Sequence, residues 1–229
     1  MSITRDAKVR CSCGIPVDVT VADSLNAGRH PHLRQAVLDR TLHAFSCPVC
    51  GRTLVIEKHM LYFDFERAQF FCVYPRHELA LEAECSRETK QAYERWLRTD
   101  APPFIIDYGK RFLVRTCFGY EELREKLVID DAQLSDIVIE ALKIDILTAD
   151  PWFRETDVVT LRLDRVLESG ELGFVPEWPT TPAPELRNKV VTVARAVYDE
   201  IDARFDDILA TYPGLAKGAH VSLLRLASP

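Results

Sequence analysis

The sequence is short of glycine, with nine residues in 229. Phosphate-cradling loops are built on glycine-rich turns, and neither G-x-x-x-x-G-K-[ST] nor G-x-G-x-x-G occurs. G-x-S-x-G and H-E-x-x-H are missing as well, so the nucleophile-elbow hydrolases and the zincin proteases have no motif here. Positive charge is in deficit: 29 Lys and Arg stand against 35 Asp and Glu, a net charge of -6. That balance opposes broad binding to a phosphate backbone and makes nucleic acid an unfavoured partner. Long apolar runs are lacking too. FFCVY and VVTVA fall far short of the ~20 residues a membrane-spanning helix needs. The opening MSITRDAKVR has no apolar stretch of the kind a secretory signal carries. These absences together point to a soluble cytoplasmic protein with no membrane role.

Cysteine, by contrast, is present and patterned. There are seven, an odd number, in a chain too large for a small disulfide scaffold. In a reducing compartment, closely paired cysteines more often hold metal than form disulfides. RCSCGIPVDV carries Cys11 and Cys13 with Gly14 behind them, and FSCPVCGRTL carries Cys47 and Cys50 with Gly51 behind them. In a C-P-x-C-G turn the proline fixes the bend. The glycine lets the backbone curl so that N–H groups point at the sulfurs and offset thiolate charge. Cys47–Gly51 matches that design in full, whereas Cys11–Gly14 is one residue shorter and must turn more tightly. Zinc takes four such ligands in a tetrahedron, and Cys11, Cys13, Cys47 and Cys50 are the candidate set for a structural Zn²⁺. Three alternatives stay open: replacement of one ligand by His43 or His30, a redox disulfide between Cys47 and Cys50, and plain burial of the thiols.

The surrounding pattern places each pair on a turn between strands. AKVRC and IPVDVTVA flank the first, and HAFSC and RTLVIEKH flank the second. HPHLRQAVLDRTL, with Leu33, Val37 and Leu38 at helical spacing, is the helix inserted between them. MLYFDFE and AQFFCVYP form a further hairpin. SRETKQAYERWLRTD is a polar helix with Ala92, Tyr93, Trp96 and Leu97 on a narrow stripe. Pro102–Pro103 marks the domain boundary. Beyond it come a strand RFLVRTCF, a short helix YEELREKL, and a longer helix over DAQLSDIVIEALKIDIL with Asp131 near its start. A hairpin closed around Ser169–Gly170 comes next, then a proline-rich loop WPTTPAPE, a long helix from Glu185 to Leu209 and a closing strand HVSLLRLA. The fold class is α+β: a zinc-ribbon-like β domain with an inserted helix over 1–101, then a mixed helix-on-sheet region over 104–229.

The stretches VRCSCGIPVDVTVADSLNA and PHLRQAVLDRTLHAFSCPVCGRTLVIEKHMLYFDFE resemble the CpXC domain family, an uncharacterised bacterial and archaeal group named for two C-P-x-C motifs. FGYEELREKLVIDDAQLSDIVIEALK is similar to the segment that comes after them in the family, with Glu125–Lys126 and the pattern Ile139, Glu140, Lys143. The likeness covers roughly the first 145 residues. It departs at C-S-C, which stands where the family has C-P-x-C. The resemblance implies metal binding and supplies no activity.

The other chemistry-bearing residues read as structural. Asp64 and Glu66 alternate with Phe63 and Phe65 and so fall on a solvated face. Cys72 and Cys117 lie in apolar strands as core residues. Cys85, placed just ahead of a helix starting at Ser86, is the one candidate for a reactive thiol. Asp130 and Asp131, and Asp199, Glu200, Asp202, Asp206 and Asp207 interleaved with Arg204, read as exposed acidic faces. Three functions are carried forward: a zinc-stabilised protein-interaction or adaptor protein without catalytic activity, an enzyme using unrecognised carboxylates or a histidine, and a nucleic-acid-binding ribbon using Arg5, Lys8, Arg10 and Arg52. The first is favoured. Its partner is a protein of unknown identity, and self-association into a homo-oligomer is compatible with it.

Overall fold

The computed structural model describes residues 2–99 and 102–226. The chain is α+β, with eight α-helices and three sheets among those residues. It divides into two compact units, Met1–Leu123 and Arg124–Pro229.

The first unit is built on a five-stranded sheet. Strands β1 (Ile3–Arg10) and β2 (Pro16–Asn26) form an antiparallel hairpin whose register closes at Arg10 opposite Pro16, leaving residues 11–15 as the turn. Along β2, Val17, Val19 and Val21 are buried while Asp18 and Thr20 are exposed, the period-two alternation of a half-buried strand. Helix α1 (Pro31–Leu38) starts on a proline, whose missing N–H costs nothing at a first helical position. A separate small hairpin comes next, β3 (Ala44–Ser46) with β4 (Thr53–Val55), and its turn spans residues 47–52. Phe45, Leu54 and Ile56 pack on Val17, Val19 and Val21, so an apolar contact holds the second hairpin over the first.

Strands β5 (Met60–Asp64) and β6 (Gln69–Tyr74) pair antiparallel, and β5 pairs parallel with residues 24–26 of β2. Helix α2 (Glu82–Glu94) runs into a π-helical turn, Arg95–Thr99. Leu97, Ala92 and Tyr93 meet Phe70 there, but Trp96 of the expected apolar stripe is 55% exposed. The expected boundary prolines lead into helix α3 (Pro103–Gly109), and β7 (Leu113–Phe118) then lies parallel to β6 as the fifth strand. Parallel neighbours need a crossover of a dozen or more residues, and α2 and α3 supply it. The first compact unit therefore runs on past Pro102–Pro103 to Leu123.

Helix α4 (Tyr120–Asp131) contains the division between the units. It ends at Asp131, so Asp131 does not open the next helix as its position in the sequence indicated. Gln133 has φ 54, a left-handed conformation that stops α4. Helix α5 (Asp136–Ala149) begins only at Ser135, whose hydroxyl caps the Val138 N–H. A short helix α6 (Pro151–Arg154) is capped by Asp150. Strands β8 (Thr160–Val166) and β9 (Leu172–Glu177) form the expected hairpin.

The long helix expected over Glu185–Leu209 is not one helix. Val191–Val193 is β10, a third strand on β9. Beyond it lie α7 (Arg195–Asp202) and α8 (Phe205–Thr211). A β-branched run placed beside a sheet edge pairs with it rather than continuing a helix. The expected closing strand at 220–227 is also corrected. Its described part ends in a 3-10 turn, Leu223–Leu226, and pairs with no strand, although His220, Val221 and Ser222 are buried. The core of this unit gathers Val138, Ile139 and Leu142 of α5 with Leu161, Leu163, Leu172 and Phe174 of the sheet.

Candidate metal centre

The two cysteine pairs sit on the turns of the two packed hairpins of the first unit, Cys11 and Cys13 between β1 and β2, Cys47 and Cys50 between β3 and β4. The four sulfurs lie within 4.8 Å of one another. Cys11 Sγ is 3.6 Å from Cys50 Sγ, and Cys13 Sγ is 3.7 Å from Cys47 Sγ. A tetrahedral thiolate site with metal–sulfur bonds of about 2.3 Å has sulfur–sulfur edges of about 3.8 Å, so these spacings fit one ion. Cys11 and Cys47 are buried beneath the knuckles and Cys13 and Cys50 face outward. Among the described residues this is the one group of three or more His, Cys, Asp or Glu ligand atoms close enough to share a metal.

Local backbone makes the knuckles. Gly14 and Gly51 hold φ values of +91 and +70, which a side chain disfavours, and each donates its N–H back to the first cysteine's carbonyl, at 2.8 and 2.9 Å. The turns also aim N–H groups at sulfur. The Cys13 N–H pulls the Cys11 thiol down to about 6, and those of Cys50 and Val49 pull Cys47 down. Cys13 receives the Ile15 N–H, which lowers it, but the neighbouring Cys11 sulfur, burial and the remaining sulfurs outweigh that and push it up to about 11. Four thiols this close cannot all ionise beside one another unless a cation sits among them.

His43, the expected substitute ligand, is engaged elsewhere. Its Nε2 accepts the Ala22 N–H at 2.7 Å, and its Nδ1 lies 2.6 Å from the Tyr120 hydroxyl. Both ring nitrogens are thereby used in the core, and burial holds the ring below its ordinary pKa. His30 stacks edge-on against His32 and stands outside the ligand group.

Residues 9–143 match the family described as CpXC protein, more than half of the chain. The chain belongs to the CpXC family. No curated protein matches it, and no solved structure does.

All four cysteines fall inside the CpXC match, which ends on Lys143. The Glu–Lys and Ile-Glu-x-x-Lys patterns of its later part, read in the sequence only as a resemblance, acquire a physical role in the second unit. Lys143 Nζ lies 2.8 Å from Glu125 and 2.7 Å from Glu140, with all three side chains essentially fully buried. Glu125 also accepts from the Leu163 N–H and from Arg162. Lys126 pairs with Asp136 at 3.0 Å and donates to the Val221 carbonyl, while Glu140 accepts the Leu223 N–H. These charges hold the irregular C-terminal segment in place by satisfying its buried backbone. Sequence reasoning had no signal for this, because charged residues three apart on a helix usually mark a solvated face.

The remaining candidates serve the fold. Asp64 is not on a solvated face: it is buried and accepts the Arg67 N–H at 3.1 Å, which closes the β5–β6 turn, while Glu66 is exposed. Cys85 lies inside the first turns of α2 rather than ahead of the helix, and burial pushes its thiol up to about 11, the opposite of activation. Burial likewise raises Cys72 to about 11, and Cys117 is fully buried. Asp199, Glu200, Asp202, Asp206 and Asp207 are exposed. On the basic face, Arg5 pairs with Asp23 and Lys8 with Asp18, while Arg10 and Arg52 bind the cysteine turns.

Proposed function

We propose that this CpXC protein holds one structural Zn²⁺ on Cys11, Cys13, Cys47 and Cys50, and that it works as a cytoplasmic interaction protein rather than as a catalyst. The observation that carries the reading is the cluster of four sulfurs within 4.8 Å of one another, with Cys11–Cys50 and Cys13–Cys47 spacings of 3.6 and 3.7 Å that match the edge of a tetrahedral thiolate site. An all-sulfur tetrahedral donor set selects zinc or iron–sulfur chemistry, and four cysteines from two knuckles around a single point favour one zinc. A closed four-thiolate shell leaves no position for a substrate or a reactive water, the mark of a structural site. Zinc would tie the β3–β4 knuckle to the β1–β2 turn and so fix the surface around them. Val49 and Val55, 67% and 61% exposed beside the second knuckle, would lie on the surface so ordered and give a protein partner an apolar contact.

The test is metal content. Purified full-length protein and Cys11→Ser are measured for zinc and iron per chain, without chelator. About one zinc in the parent and a large loss in the variant is expected. A parent without zinc refutes the metal assignment. For the interaction role, the zinc-loaded parent should retain proteins that Val49→Asp/Val55→Asp loses, and identical capture by the two would refute it.

A further inference from the structure

The two knuckles are unequal. Cys47 to Cys50 has Pro48 to set its bend, but Cys11 and Cys13 have only Ser12 between them and no proline. A tighter turn that lacks this constraint needs another one if its two sulfurs are to meet the opposite pair. Arg52 is placed to provide it. Its carbonyl accepts the Cys47 N–H at 2.9 Å, closing the second knuckle, and its guanidinium Nη1 reaches across to donate to Ser12 Oγ at 2.7 Å. One residue thus touches both knuckles, and its contact on the short turn is the residue between the two cysteines. Arg10 braces the same turn from the other side, donating from Nη1 to the Gly14 carbonyl at 3.2 Å. The charges also match. Four thiolates around a divalent cation keep two negative charges, and Arg10 and Arg52 bring two fixed positive ones that stay protonated at any pH the protein meets.

We infer that Arg52 and Ser12 are positioning residues of the metal centre, joined by a bridge that closes the shortened C-S-C turn, with Arg10 as its second brace. The inference rests on the metal reading above. Neither residue contributes a ligand. Their work is to hold Cys11 and Cys13 where the second pair can use them, and to offset the charge that the loaded centre carries. Outer-shell partners of this kind typically govern metal affinity by about 10- to 100-fold.

The experiment uses the full-length chain, stripped of metal and titrated with Co²⁺ and then with Zn²⁺ against a competing chelator. The variants are Arg52→Met, Arg52→Lys, Ser12→Ala and the double Arg52→Met/Ser12→Ala. The parent should show the intense visible bands of tetrahedral thiolate-bound Co²⁺. Arg52→Met and Ser12→Ala should each weaken Zn²⁺ about 10-fold or more, and the double variant should be little worse than Arg52→Met alone, because the two substitutions remove one shared contact. Arg52→Lys keeps the charge and should recover part of the loss. These sites are exposed, so the metal-loaded variants should melt with the parent's cooperativity, which separates positioning from general destabilisation. A parent that binds Co²⁺ tetrahedrally beside variants of equal affinity overturns this inference alone. Losses that simply add in the double variant also overturn it, since they deny the bridge. A parent with no thiolate–cobalt spectrum overturns the metal reading and this inference with it.

Discussion

Lys143→Met removes the cation from the middle of a buried cluster, and its cost can be worked from the geometry. Lys143 is 0% exposed and Glu125 and Glu140 are 1% exposed, with the ammonium 2.8 and 2.7 Å from their oxygens. At an effective dielectric of about 20, each contact has a gross attraction of about 6 kcal/mol. Most of that is cancelled by taking the three charges out of water. The measurable loss comes from deleting one partner while the others stay buried, and is about 3–5 kcal/mol. At about 4 °C per kcal/mol for a unit of this size, the second unit should melt about 15 °C lower. The cluster predicts a recovery as well. Lys143→Met/Glu140→Gln removes the charge left over, and the glutamine oxygen can still accept the Leu223 N–H, so the double variant should be more stable than the single.

The pH profile supplies a second readout. Burial pushes the Glu125 carboxyl up, but the pull of Lys143, Arg162 and Lys126 is larger and holds it below the usual carboxylate range. A depressed carboxyl contributes stability that is complete above its unfolded value of about 4.3 and disappears as pH falls through the folded value. In Lys143→Met burial gains the upper hand and the folded chain takes up the Glu125 proton more readily than the unfolded one, so the acid loss due to Glu125 should disappear and the stability gap to the parent should narrow as pH falls. Thermal and urea unfolding of the full chain between pH 3 and 8 measures all of this. A single-variant loss below about 1 kcal/mol, or a double variant no better than the single, would refute the reasoning.

The first unit carries further expected outcomes. Cys50→Ser should lose the metal and, because metal binding is part of the folding free energy of such a site, should unfold the β1–β4 region, seen as lost near-ultraviolet signal and rapid proteolysis there. Burial holds the His43 pKa down, so the unfolded chain binds the extra proton first, and stability should fall as pH drops below about 6.5. His43→Gln should flatten that slope in a melting series from pH 5 to 8. Native protein at pH 8 treated with a thiol reagent should leave Cys85 and Cys117 unmodified, since both are buried and the Cys85 thiol is raised to about 11. Adding a chelator should expose the thiols of the metal centre to the same reagent, and prompt modification of Cys85 before unfolding would contradict its placement.

The four-cysteine group was legible because its chemistry is local. A cysteine pair with glycine behind it in a strand–turn–strand setting specifies a knuckle within about six residues, and Gly14 and Gly51 do adopt the left-handed backbone that the pattern requires. His43 was harder to read. Its spacing before Cys47 allows it to serve as a ligand, and only its contacts with Ala22 and Tyr120, the latter 77 positions away, show it engaged elsewhere. Asp64 was misread for a related reason. Alternation puts Asp64 on the face of β5 opposite Phe63, but that face, shared with Met60 and Tyr62, is the buried one, and there the Asp64 carboxylate accepts the Arg67 N–H.

By itself the sequence determined the hairpins, the α+β class and the juxtaposition of four thiols, since each is written in hydrophobic period, turn residues and short-range spacing. Tertiary structure decided what depends on distant partners. It placed β7 parallel to β6 across the α2–α3 crossover, and it turned Val191–Val193 from part of a helix into a strand on β9. It also buried Glu125, Lys126, Glu140 and Lys143, which along a helix look like any charged surface. The physical reason is the same in each case. A buried backbone group or charge must find a partner wherever in the chain that partner lies. No local pattern encodes the 83 positions between Glu140 and the Leu223 N–H that it holds.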